Sequence, residues 1–407
     1  VATPTVANPR GPTGKVLAGA LLLGALAVSL LRTVRGPNDW AEAHWLLDYR
    51  FGFVKRGLPG QLLTWATDLL GVPVTAPLIA GIACSALSVF VAAMSCMAFR
   101  VVRRADWSLA SVVAMVAFLS SPFAVLTGHL NGYFDHVFFV LGIVSIWLAA
   151  RGRVFAGGVL QVAALLVHES SILLIYPVFV LACLLRRAGD GSVRWRSLVL
   201  PLLLPVLMAG VIALVLSSPP AGFEAGFQAR LRASGFVVGG YEDSTPWMLT
   251  MPLRTMWGLI GQHFGELAAR HRVAIALVLP SLLALALGVV RHPALSRRRS
   301  LTVAAVAVVL LPLSMHAVAW DAERIWTYSL FTTFAAAWVL GEARPGATGS
   351  AAWIVPAAAV AIVVNLLCTV PLLDYAVDRL DLAPRLGALV VLLLGLGLLA
   401  RDSGRFR

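Results

Sequence analysis

Apolar residues fall along this chain in long runs separated by short polar breaks. Crossing the roughly 30 Å apolar core of a bilayer takes about 20 residues of helix. Runs near that length occur at about 15–34, 76–99, 107–126, 133–150, 198–217, 272–290, 301–319, 326–341, 351–371 and 386–400. Each predicts a membrane-spanning helix. Between residues 61 and 75 the pattern changes. Gln61-Leu-Leu-Thr-Trp-Ala-Thr-Asp-Leu-Leu is amphipathic and stops at Gly71-Val-Pro73, which predicts a helix along the membrane surface rather than across it. The expected fold class is all-α: a polytopic transmembrane helical bundle of roughly 10–12 spans, with short extracytoplasmic surface helices.

Residues 154–185 break the pattern in another way. Thirty-two residues separate Arg153 from Arg186, with His168-Glu169 at the midpoint. They fit one long tilted helix or a hairpin of two short ones. The arginines favour the hairpin. With the N-terminus cytoplasmic, Arg100, Arg103, Arg104, Arg151 and Arg153 are inside. A hairpin keeps Arg186, Arg187, Arg194, Arg196, Arg291, Arg297 to Arg299, Arg344, Arg401, Arg405 and Arg407 inside as well, whereas a single helix turns every later cluster outward. Two legs of about 15 residues reach only about 23 Å at 1.5 Å per residue. The turn is therefore expected in a protein-lined recess in the outer half of the membrane, since irregular backbone is not tolerated against lipid. Glu169 is expected to sit deepest.

The composition agrees. Of 407 residues, 59% are hydrophobic and 13% charged, with a mean hydropathy of +0.87; a soluble domain carries about 25% charge. The net charge of +13 comes from short arginine clusters between apolar runs, the pattern of membrane orientation rather than of nucleic-acid binding. Cys84, Cys96, Cys183 and Cys368 lie inside apolar runs without metal-site spacing and are expected to be small core residues. The first run is preceded by Arg10 and Lys15, and a cleavage site would fall inside it near Ala27 or Ser29, so it is expected to be a retained span. A single integral membrane domain, 1–407, is expected. Residues 1–14 and 401–407 would be cytoplasmic tails, and 35–75, 127–135, 218–271, 320–325 and 372–385 outer loops.

Candidate chemistry concentrates on the predicted outer face. Residues 38–60 hold Asp39, Glu42, Asp48, His44, Arg50, Lys55 and Arg56 among aromatics. His129, Asn131, Asp135 and His136 follow the third run, His168-Glu169-Ser170-Ser171 lie at the hairpin turn, and His316, Trp320, Asp321, Glu323 and Arg324 follow the seventh. Ionisable residues within or beside membrane segments mark sites, because an unpaired charge there is costly. Plainer roles also fit: Asp48 and Arg50 as a surface ion pair, Lys55 and Arg56 as a surface anchor, and Asp135 as a helix-start carboxylate stabilised by the dipole. Asp321 and Arg324 are three apart and can pair on one helix face. The chain has no P-loop, no dinucleotide glycine motif, no His-Glu-x-x-His, no Gly-x-Ser-x-Gly and no Asp-Asp-x-x-Asp.

This arrangement resembles the GT-C class of membrane glycosyltransferases and, more loosely, the multispan polymerases of bacterial exopolysaccharide and O-antigen synthesis. What carries the likeness is about a dozen spans, an acidic first outer loop with a surface helix (Asp39, Glu42 or Asp48), and a second acid, Asp135, in the next outer loop. The first loop lacks the tight acid-x-acid pair known in the class, and no part of residues 1–407 is expected to form the soluble C-terminal domain that some of its members carry. The resemblance implies a bacterial inner-membrane enzyme using a sugar on a polyprenyl phosphate as donor and a glycan or lipid as acceptor, among membrane lipids and without nucleic acid. A carboxylate would take the proton of the acceptor hydroxyl while cations hold the departing phosphate. The expected catalytic residues are Asp48 as base, Asp135 as orienting acid, and His168 and Glu169 shaping the pocket. Lys55, Arg56 and Arg324 are expected on the phosphate, with Arg50, His129, His136 and Asp321 also binding substrate. A divalent cation is compatible with these acids. A transporter or flippase, or a subunit without chemistry, are the alternatives; a carrier would need a site near the midplane and often an internal repeat, which is not visible here.

Overall fold

The apolar runs become helices. The computed structural model describes residues 11–190, 194–216, 220–251, 253–296, 298–317, 319, 321–346, 351–372 and 378–404, and among these the chain is helical with no strand. Residues 1–10, Arg297, Trp320, Arg405 and Arg407, named above, lie outside them.

α1 (Pro12–Leu31) leads to the segment expected as the first outer loop, which holds α2 (Asp39–Trp45), a 3₁₀ turn (Tyr49–Phe51) and α3 (Gly57–Leu70). α4 (Ala76–Arg104) returns, and α5 (Leu109–Leu119) with α6 (Pro122–His129) forms one interrupted span. Next come α7 (Asp135–Ala150), α8 (Val154–Val167), the single turn α9 (Ser171–Leu174), α10 (Tyr176–Asp190) and α11 (Trp195–Leu216). The long loop expected on the outer side carries α12 (Phe223–Ser234), α13 (Tyr241–Thr250) and α14 (Leu253–Gln262). α15 (Phe264–Val290), α16 (Arg299–Leu310) with a 3₁₀ extension (Leu311–Ala317), α17 (Ala322–Ala343), α18 (Ala351–Leu367) and α19 (Leu382–Gly404) complete the bundle. Among the described residues, eight helices are long and apolar enough to cross a membrane, with α7, α8 and Trp353–Leu367 as shorter apolar helices. The chain is a multi-pass, all-α membrane protein. α15 begins at Phe264, eight residues before the expected start, because the polar stretch Glu266 to Arg272 continues the helix above the apolar run.

Residues 154–185 do fold back on themselves. A Cβ placed on Gly152, just before α8, would have the Arg186 Nε of α10 as its nearest neighbour, at 3.8 Å. The arginine clusters meet at one end of the bundle. Arg100 Nε and Arg104 Nη2 donate to Glu342 at 2.7 and 2.8 Å, Arg344 Nη1 to the Pro293 carbonyl at 3.1 Å, and Arg298 Nη1 to the Ala188 carbonyl at 2.8 Å. The beginning of α1 and the end of α19 lie at this same end, since Arg32, just past α1, shares Asp378 with Arg385 at the start of α19.

α17 runs through the middle, in contact with α4, α6, α7, α10, α15 and α16. The break between α5 and α6 comes from Ser120-Ser121-Pro122, as proline cannot continue the helical hydrogen bonding. The carbonyls it exposes are taken up: Ser29 Oγ donates to Leu119 at 2.8 Å and Asn365 Nδ2 to Ala117 at 2.9 Å, as lipid requires. A fully buried Arg32 pins together the end of α1, the end of α18 and the segment before α19. Its Nε donates to Asp378 at 2.7 Å, and its other nitrogens reach the carbonyls of Asn365 at 2.6 Å and Cys368 at 2.8 Å. α3 leaves Leu62, Trp65, Leu69 and Leu70 exposed, as an interfacial helix does. The cysteines are free, and of the four expected in the core only Cys183 is buried; Cys84 and Cys96 are exposed on α4, with Cys84 Sγ accepting from Asn131 Nδ2 at 3.4 Å.

Candidate functional site

At the end opposite the arginines, a cavity of about 720 Å³ lies between the hairpin turn, the starts of α7 and α17, and the outer-loop helices α2, α13 and α14. Its polar side is built from short-range geometry. α2 is capped by Asn38, whose side chain accepts from the Ala41 amide at 3.0 Å, and it is tied down by Trp45 Nε1 donating to the Gly132 carbonyl at 2.8 Å. Gly132 has φ +95°, and a Cβ there would lie 2.7 Å from Pro37, so this approach needs glycine. α2 thereby turns Trp40 and His44 to the cavity.

Arg56 precedes α3 in the left-handed region, with φ 60°. Its guanidinium forks onto Glu169, Nε to Oε2 at 2.9 Å and Nη2 to Oε1 at 2.6 Å. Such paired, charge-assisted bonds fix both groups. His168 ends α8 in extended conformation, and its Nδ1 accepts the Ser170 amide at 3.2 Å, which leaves the proton on Nε2. Asp135 opens α7. Its Oδ1 accepts the Tyr328 hydroxyl, and its Oδ2 is buried without a hydrogen-bond partner, 3.8 Å from Arg324 Nη1. Arg324 donates through Nη2 to Asp321, while its buried Nε has no hydrogen-bond partner. Lys55 also lines the cavity. Burial, assisted by Arg56 and opposed by Glu169, pulls its ammonium below the usual lysine range.

The other side is apolar. Leu165 of α8, Ile172 and Leu173 of α9, and Ala209, Ile212 and Ala213 of α11 line it. α11 exposes Leu203, Leu207 and Leu214 on the outside of the bundle, so this wall continues toward lipid. α13 forms a roof. Tyr241 meets Trp40 edge-on at 5.9 Å, and Leu249 joins a small core with Ala43, Leu47, Phe223 and Phe227. Behind Asp135, whose Oδ1 takes the Tyr328 hydroxyl, lies a packed aromatic cluster, Phe139 against Tyr328 at 5.6 Å and against Phe331 at 4.3 Å, with Phe90, Phe118, Phe123 and Phe334 beyond.

Lys55, Arg56, Asp135, His168, Glu169, Asp321 and Arg324 thus come together from four separate stretches of sequence. Asp48, expected to reach the phosphate site, does not line the cavity. It is 0% exposed and accepts from Arg230 of α12, from Thr64 at 3.0 Å and from Arg50 at 3.0 Å, so its lone pairs are spent on joining two outer loops. Arg50 goes with it. His129 and His136 are buried away from the cavity. The His129 carbonyl takes Arg35 Nε at 3.1 Å, while His136 bonds the Thr127 carbonyl at 3.0 Å and packs on Phe90. Glu169 is not the deepest acid: its side chain is 29% exposed, that of Asp135 2%. Its partner is Arg56, with His168 further off at 3.7 Å.

Two residues that hold this arrangement, Tyr328 and Arg230, were not singled out from sequence. Tyr328 lies four after Arg324 and so shares its helix face, a signal that was present. Arg230 had none, as nothing local connects it with Asp48. His44 was named in the stretch 38–60 but given no role of its own. Comparison of the chain with family models, with curated proteins and with solved structures found no match.

Proposed function

We propose that this chain is a membrane glycosyltransferase that moves a sugar from a polyprenyl-phosphate donor to an acceptor hydroxyl on the extracytoplasmic side of a bacterial inner membrane, in cell-envelope glycan or glycolipid synthesis. The arginine-rich end is assigned to the cytoplasm by the positive-inside rule, which puts both chain ends there and the cavity outside. One observation carries the reading. A single cavity holds a buried carboxylate oxygen without a hydrogen-bond partner, Asp135 Oδ2, together with Lys55, Arg56 and Arg324 and an apolar wall running to the lipid-facing α11. These suit a ligand with an anionic, hydroxylated head and a hydrocarbon tail.

In this reading Lys55 and Arg324 hold the donor phosphate and neutralise its charge as it leaves, with Arg56 kept in place by Glu169. The acceptor hydroxyl gives its proton to Asp135 Oδ2 and its oxygen bonds to the anomeric carbon. The bond from that carbon to the phosphate oxygen breaks, and the electron pair stays on the phosphate. The role of base, first expected of Asp48, moves to Asp135, because Asp48 has no free lone pair near the cavity. Asp135→Asn should lower sugar transfer by about 10²–10⁴-fold and leave donor binding within a few-fold. Undiminished transfer by this variant in reconstituted vesicles would remove the base from the mechanism.

A carrier is the second reading, favoured by the broken helices α5–α6 and α8–α10 at membrane depth. The packed aromatic cluster behind Asp135 weighs against it, since it fills the bundle there with buried rings and none of them lines the cavity.

A further inference from the structure

We propose that His44 reads a sugar hydroxyl of the ligand, so that the cavity is selective for a glycosylated lipid phosphate over the bare lipid phosphate. This rests on the lipid-phosphate reading of the cavity given above. The imidazole is 5% exposed and lines the cavity. Its Nδ1 lies 2.7 Å from the Trp40 carbonyl oxygen, one turn earlier in α2. A carbonyl can only accept, so Nδ1 carries the proton and Nε2 presents a bare lone pair. That Nε2 is buried and has no hydrogen-bond partner among the described residues.

The ring is held by its neighbours, Trp40 at 5.2 Å and Phe134 edge-on at 6.1 Å. Protonation does not relieve the vacancy. Burial, and next to it the Arg56 charge, push the His44 pKa down to about 4. At neutral pH Nε2 therefore accepts and does not donate, while Nδ1 keeps its proton on the Trp40 carbonyl.

Every other unpartnered cavity group described above has an obvious counterpart in a lipid phosphate or an attacking hydroxyl. His44 does not. A phosphate oxygen offers only lone pairs and would repel Nε2, and a hydrocarbon tail would leave it bare. A hydroxyl beside the phosphate meets the need. The aromatic rings of Trp40 and Tyr241, in contact beside His44 and both lining the cavity, add flat apolar faces against which the C–H face of a sugar ring can pack. Buried polar sites discriminate strongly between ligands with and without the matching hydrogen-bonding group, because the mismatch leaves a polar atom unpaired.

The test is binding to the full chain in lipid nanodiscs, with farnesyl phosphate and a panel of farnesyl phosphates carrying mannose, glucose, galactose or arabinose. The wild type should bind at least one glycosylated probe more tightly than farnesyl phosphate. His44→Phe, which keeps a flat ring and removes the acceptor, should abolish that margin, a loss of roughly 5- to 150-fold. It should leave farnesyl phosphate binding within about twofold, which also shows that the variant is folded. His44→Gln, which retains an acceptor oxygen, should recover part of the margin. If the glycosylated probes bind no tighter than farnesyl phosphate, or if His44→Phe weakens all probes alike, the assignment of His44 is overturned while the lipid-phosphate site stands. If no probe binds, the lipid-phosphate reading falls and His44 with it.

Discussion

Two aspartates of the outer loops show how far identity is from role. Asp48 and Asp135 are both buried acids in outer segments, yet Asp48 is saturated by Arg230, Thr64 and Arg50, and Asp135 keeps one oxygen bare. Asp48→Ala should therefore act on stability rather than on chemistry. It leaves Arg230, whose side chain is only 16% exposed, without its counter-charge. Removing one partner of such a pair costs about 3 kcal/mol, measurable as a lower thermal-unfolding midpoint, while transfer per folded molecule should persist. His44 supplies a pH-dependent term of opposite origin. Its folded-state pKa of about 4 lies below the ordinary 6.5, so the unfolded chain binds the extra proton between these values. The contribution is complete above pH 6.5 and is lost as the pH falls toward 4, on the order of 3 kcal/mol in all. His44→Gln should flatten this part of the stability-against-pH curve relative to the wild type; identical curves would show that the imidazole titrates freely.

Among the elements, α3 matters most to the site because Arg56 stands at its start. α3 can lie where it does only because residue 60 is glycine: a Cβ there would fall 2.0 Å from the Leu47 carbonyl oxygen, which is backbone and cannot turn aside. Gly60→Ala should push α3 off the segment following α2, cost about 1–3 kcal/mol as other overpacked sites do, and draw Arg56 away from Glu169. Weaker binding of farnesyl phosphate would accompany the stability loss; unchanged binding would mean that the position of α3 does not set the phosphate site. The hairpin of α8 and α10 depends on the same kind of fit. A Cβ on Gly157 would lie 2.8 Å from the Phe179 ring of α10 and 2.9 Å from the Ser145 carbonyl oxygen, and one on Gly158 would lie 2.8 Å from Pro201, so the two glycines let α8 lie directly on α7, α10 and α11.

Over the whole molecule, the alternation of helices places all the arginine clusters described at one end and the acid-rich cavity at the other. In a cysteine-free background, a cysteine at Ser296 should react with an impermeant thiol reagent only after the cells are opened, whereas one at Ser234 in the outer loop should react in intact cells. The reverse result would invert the topology and put the cavity on the cytoplasmic side, where a donor presented from outside could not reach it.

The helical spans, the surface character of α3 and the fold-back of residues 154–185 were legible in the sequence, and for one reason. A bilayer imposes a length and an apolar composition on every crossing segment and sorts arginine to one side, so these features are written locally. The gathering of Lys55, Arg56, Asp135, Glu169, Asp321 and Arg324 on one face followed from the same alternation. Their pairing did not. Whether Glu169 met His168 or Arg56, whether Asp48 faced the cavity or Arg230, and whether His44 Nε2 was left bare all depend on contacts between stretches distant in sequence. Charge and spacing leave those choices open, because any of several nearby cations could have satisfied each acid. Only the packing of α12 against the first outer loop, and of α17 against α7, decided which one did.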